Sequence, residues 1–99
     1  MARAHILFDK TEIVAMYRQG NKLAVVNLKF SDIQRIQFDH FEERALLRKV
    51  ESEKISITTS KAAAPIVYTR LKEAAHWDRY KTGLAKFARD NTITFVSNL

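Results

Sequence analysis

Apolar residues along the first two-thirds of the chain recur at every second position, the period of a half-buried β-strand. Ile6 and Phe8 share one face, and Asp9-Lys10 follows as a turn. Ile13, Ala15 and Tyr17 then alternate with Val14, Met16 and Arg18, in a run rich in β-branched and aromatic residues. Gln19-Gly20-Asn21 supplies a tight turn, because Gly and Asn tolerate positive φ. The chain returns from Lys22 to Leu28 with Ala24, Val26 and Leu28 on one side and Phe30 in phase. Ser31-Asp32 interrupts, and Ile33 to Phe38 resumes with Ile36 and Phe38 on a shared face. The polar stretch Asp39 to Glu43 around Phe41 reads as a hairpin connection. Arg44 to Glu51 has helix-forming composition, but it is short and lies between strand-like runs, so a strand is expected. Lys54 to Thr59 alternates Ile55, Ile57 and Thr59 against Ser56 and Thr58. Ser60 to Ala64 is a loop, and Ile66 to Thr69, after Pro65, makes a seventh strand.

The period then changes. Between Glu73 and Asp90 the apolar residues Trp77, Tyr80, Leu84, Phe87 and Ala88 fall on one stripe of an α-helix. Gly83 inside that helix costs about 1 kcal/mol relative to Ala, a cost that close approach to a sheet would offset. Asn91 suits a left-handed C-terminal cap, and Thr92 to Val96 alternates as a last short strand.

Seven antiparallel strands with one helix stripe must bury a curled sheet under that helix. The expected fold is therefore mainly β, a barrel or sandwich of about seven antiparallel strands capped by one C-terminal helix, with a short extra strand. This order resembles the pleckstrin-homology (PH) superfold, in particular the small bacterial PH-like domains. The segments that carry the resemblance are Phe30 to Phe38, Lys54 to Thr58 and Trp77 to Phe87. It spans roughly residues 4–90 of a single domain and leaves 92–99 as a strand-like tail, expected to pair near Ile6 or with a neighbouring chain. The resemblance implies a fold more than a function, since such folds host many roles.

Ninety-nine residues suffice for one domain with a thin core. The absence of cysteine excludes disulfides, thiolate metal sites and cysteine nucleophiles. Two glycines and one proline leave no Gly-rich phosphate loop. No apolar run reaches membrane-span length, and the N-terminal Met1 to Ile6 meets Asp9 and Lys10 before a leader could form. A cytoplasmic location is expected.

His5, His40 and His76 lack metal-ligand spacing, so no metal and no cofactor are expected. The serines lack a nucleophile-elbow context, and Glu42-Glu43, Glu51 and Glu53 read as a solvated hairpin among Arg44, Arg48, Lys49 and Lys54. An enzyme is not expected. Lys10, Arg18 and Lys22 are too scattered to match the basic motif of lipid-binding PH domains. The net charge of +6 still permits an anionic partner. Candidate anion-binding residues are Arg44, Arg48 and Lys49 in one patch and Arg79, Lys86 and Arg89 along the helix. Ile93, Phe95 and Val96 of the tail are candidates for self-association. The expected function is a non-enzymatic interaction module that binds a protein partner or itself as a homo-oligomer. The alternative is polyanion binding, to nucleic acid or an anionic membrane surface.

Overall fold

A computed structural model describes residues 4–99; Met1 to Arg3, part of the N-terminal stretch read above for a leader, lie outside the described residues. The order is β1 (Ile6–Phe8), β2 (Glu12–Gln19), β3 (Lys22–Lys29), a 3-10 turn (Phe30–Asp32), β4 (Ile33–Ala45), β5 (Arg48–Thr59), β6 (Ile66–Thr69), a 3-10 turn (Ala74–His76), α1 (Trp77–Asp90) and β7 (Phe95–Ser97). The first sheet is β1-β2-β3 and the second is β6-β5-β4-β7. The chain is thus mainly β with one helix near its C-terminal end.

The β2–β3 hairpin closes through Gly20-Asn21, and Gly20 takes φ +64 at the first central position, where glycine is favoured. The inward residues Ile13, Ala15 and Leu28 join Ile6 against Ile36, Phe38, Ile55, Ile57, Ile66 and Tyr68 of the second sheet. The helix adds the stripe that the spacing predicts: Trp77, Tyr80, Leu84, Phe87 and Ala88 are its buried residues. An ideal Cβ on Gly83 would sit 2.7 Å from Phe8 Cζ, so the glycine admits the aromatic ring of β1 against the helix.

Several expectations require correction. Asp39 to Glu43 is not a connection, and Arg44 to Glu51 is not a separate strand. One long hairpin runs from Ile33 to Ala45 and back from Arg48 to Thr59, turning at Leu46-Leu47. The polar residues of its far half still alternate, and Glu43 and Ser52 satisfy each other across the strands, so polarity did not mark a turn. Among the described residues six strands therefore precede the helix, not seven. The pairing is also not all antiparallel, because β7 runs parallel to β4 with Phe95 opposite Ile36. Asn91 Nδ2 fastens the helix end to Phe87 O and to Lys10 O, which releases the tail beside β4 rather than near Ile6. Ile36 N then donates to Thr94 O. Asn91 has φ −112, and the left-handed residue is the next one, Thr92, at φ 55.

Finally, the two sheets do not close into a barrel. Past Met16 no described strand pairs with the β1-facing edge of β2, and a cleft of 820 Å³ there is lined by residues that include His5, Tyr17 and Ala62. Across it Tyr68 Oη donates to Met16 O at 2.8 Å. Burial pushes the Tyr68 phenol upward, so it stays a neutral donor.

Candidate interaction surfaces

The three-stranded sheet is apolar on both faces. Its inner face is core. On its outer face the register sets Leu7 beside Val14 on β1 and β2, Met16 beside Val25, and Arg18 beside Leu23 on β3. Leu7, Leu23 and Val25 are 49%, 52% and 60% exposed, and Val14 and Met16 are half-buried between them. Glu12 and Lys29, opposite each other in register, stand at one end of this face, and Arg18 stands at the other. An apolar centre with a polar rim is the anatomy of a contact surface. Among the described residues no strand pairs with the outer edge of β3 over its eight residues. The sequence reasoning passed over these residues. The available signal was that β2 is apolar at successive positions, from Ile13 through Tyr17, rather than at alternate ones.

The basic candidates divide. Arg44 pairs in register with Lys49, and Arg48 with Ala45, so the three cations gather at the tip of the β4–β5 hairpin. Between them Leu46 and Leu47 are 95% and 93% exposed. Among the described residues no carboxylate lies within ion-pairing distance of these three cations. On the helix, by contrast, Lys86 Nζ sits 2.5 Å from Asp90 Oδ2, and Arg89 lies 3.8 Å from the same carboxylate. The Lys86 bond, then the fields of Lys86 and Arg89, hold the Asp90 carboxyl below its usual range. Arg79 lines a groove with Asp9, Asp78 and Asp90. The helix patch is therefore largely offset by acid, and the hairpin patch is not.

The carboxylates read as a solvated hairpin are placed otherwise. Glu43 is buried, accepting from Ser52 Oγ at 2.8 Å and Thr69 Oγ1 at 2.6 Å. Glu53 accepts from Trp77 Nε1 at 2.8 Å and from Lys81 Nζ at 2.9 Å, with Arg70 at 3.6 Å. The indole bond and then these cations lower its pKa. Only Glu42 and Glu51, opposite each other in register, remain exposed. At the cleft between the sheets, His5 Nδ1 lies 2.7 Å from Glu73 Oε1, and His5 N donates to Tyr80 Oη at 2.7 Å. His76 stacks on the Tyr80 ring. These contacts fasten β1 to the start of α1. Buried polar side-chain atoms among the described residues all have partners, which describes a built scaffold.

Among the described residues no three of His, Asp and Glu are grouped as a metal would require. No described helix is long and apolar enough to cross a membrane. The tail candidates are held by their own chain: Ile93 packs against the core, and Phe95 meets Phe38 edge-on at 5.0 Å. Val96 pairs with Gln37, which leaves only the outer edge of the three-residue β7 open. No protein-family model, curated protein or solved structure matches this chain.

Proposed function

We propose that the chain is a non-enzymatic interaction module that associates with a second copy of itself through the outer face of its three-stranded sheet. The observation that carries the reading is the contiguous set Leu7, Val14, Met16, Leu23 and Val25, left half in solvent by a chain that satisfies its buried polar atoms elsewhere. A second copy is the favoured occupant because the rim carries both signs, Glu12 against Lys29. A twofold rotation can match such a rim to itself, whereas a partner of a single charge sign cannot. The resemblance to the PH superfold belongs to the same proposal, and two sheets followed by a C-terminal helix are the coarse feature that supports it.

The scale follows from the exposures. Leu7, Leu23 and Val25 each have about half a side chain left to bury, about 1 kcal/mol apiece, or about 6 kcal/mol over two copies before the cost of association. That describes a weak, concentration-dependent dimer, not an obligate one. Sedimentation equilibrium across a wide concentration range tests it. The expected result is a mass that rises from one copy to two for the wild type and stays at one copy for Val25→Glu. A wild type that stays monomeric throughout, or a Val25→Glu variant that dimerises equally well, overturns the reading.

A further inference from the structure

A second, separate surface is the tip of the β4–β5 hairpin, and we infer that it docks on an anionic lipid surface, with Leu46 and Leu47 entering the bilayer boundary and Arg44, Arg48 and Lys49 meeting lipid phosphates. Three observations converge on this.

The leucines come first. They are almost wholly in solvent at the turn, where no other described residue covers them. Leu46 moreover holds φ 42, a conformation that a branched side chain adopts at a cost and that glycine or asparagine would adopt freely. A folding requirement alone would select against leucine there. Its presence points to a use outside the fold.

The depth of the charges comes second. Beyond the row of Glu43 and Val50 only two residue pairs and the turn project, Arg44 with Lys49 and Ala45 with Arg48. At a strand rise of about 3.4 Å this is roughly 7 Å, within the depth to which apolar groups enter the boundary of headgroups and acyl chains. The three cations then stand directly behind the leucines, at the level of the phosphates. Two rows behind Arg44 and Lys49, past Glu43 and Val50, Glu42 faces Glu51 in register, and an anionic surface repels this pair. The hairpin thus carries its own stop: leucine, then cation, then carboxylate.

The competing occupants fit less well. Nucleic acid is held by cations with aromatic platforms or groove-reading side chains, and two aliphatic leucines at the most advanced point serve neither. A protein groove would take the leucines but would not call for three cations free of acidic partners.

The test is co-sedimentation of the full chain with vesicles of phosphatidylcholine alone and of phosphatidylcholine mixed with phosphatidylglycerol. The expected result is binding to the mixed vesicles and little to phosphatidylcholine alone. Neutralising Arg48 and Lys49 to Gln should weaken binding about fivefold per cation, and L46S combined with L47S should abolish it at near-physiological salt. Lys86→Gln with Arg89→Gln should leave it unchanged. Circular dichroism of the serine variant checks that this exposed turn has not altered the fold. Absence of binding to the anionic vesicles overturns the inference, as does binding that survives loss of both leucines. An oligonucleotide that binds at near-physiological salt and displaces the vesicles also overturns it, in favour of nucleic acid. Val25→Glu should bind the mixed vesicles as the wild type does, so this inference and the self-association proposal fail independently.

Discussion

Gly83 is a mid-helix residue whose replacement by alanine tests how the helix sits on β1. In an unobstructed helix Gly83→Ala would stabilise by about 1 kcal/mol, because alanine loses less conformational freedom. Here the new Cβ would lie 2.7, 2.9 and 3.0 Å from three atoms of the Phe8 ring, well inside contact distance. The ring must swing away, and it can, since Phe8 is 39% exposed. Its covered portion is worth about 1–2 kcal/mol of apolar burial, and displacement forfeits most of that. The two terms nearly cancel, so Gly83→Ala alone should lie between no change and about 1 kcal/mol of destabilisation. The background decides the matter. With Phe8→Ala already in place the obstruction is gone, and Gly83→Ala should then stabilise by about 1 kcal/mol. Urea unfolding of the four proteins of this double-mutant cycle should give a coupling energy of about 1–2 kcal/mol. A gain of the same size in both backgrounds would refute the account of the glycine.

The other predictions concern groups that the fold holds in specific places. Glu53→Gln should cost about 1–2 kcal/mol at neutral pH, since it removes a charge that Trp77, Lys81 and Arg70 all address. The folded-state pKa of Glu53 is depressed, so its contribution is complete above the unfolded value of roughly 4.3 and is lost as pH falls through the lower folded value. Wild type and E53Q should accordingly converge in stability on acidification, as followed by thermal melts. Glu43→Ala should cost about 2–3 kcal/mol in urea unfolding, because it leaves the hydroxyls of Ser52 and Thr69 without their acceptor in a buried site. Leu46→Gly should raise stability by about 0.5–1 kcal/mol by relieving the positive φ, while losing vesicle binding. Phe95→Ala should cost about 1–2 kcal/mol in the same assay through its edge-on contact with Phe38.

What the sequence displayed and what it concealed follow from how each element is stabilised. The buried stripe of the helix was legible, because Trp77, Tyr80, Leu84, Phe87 and Ala88 share one helical face, while its start at Trp77 and the left-handed residue at Thr92 were not. The β2–β3 hairpin was legible because its turn chemistry is local. The far half of the β4–β5 hairpin was not, because Glu43 is made acceptable by Ser52 and by Thr69, which lies 26 residues away. The parallel placement of β7 was also hidden, since it depends on where Asn91 fastens the helix end. Of the candidate surfaces, the cations Arg44, Arg48 and Lys49 stand together at one hairpin tip, but the two leucines they frame read in the sequence as part of a strand. The apolar outer face of the first sheet went unread because a strand that is apolar on both sides resembles a buried one.

The most direct test of the interaction account is a concentration series of methyl resonances in uniformly labelled protein. The account predicts that the methyl groups of Leu7, Met16, Leu23 and Val25 shift together as concentration rises, with one common midpoint, while those of Leu46 and Leu47 stay fixed until anionic vesicles are added. Methyl signals of the sheet face that do not change over the whole series, or concentration-dependent shifts confined to the hairpin tip, would contradict it.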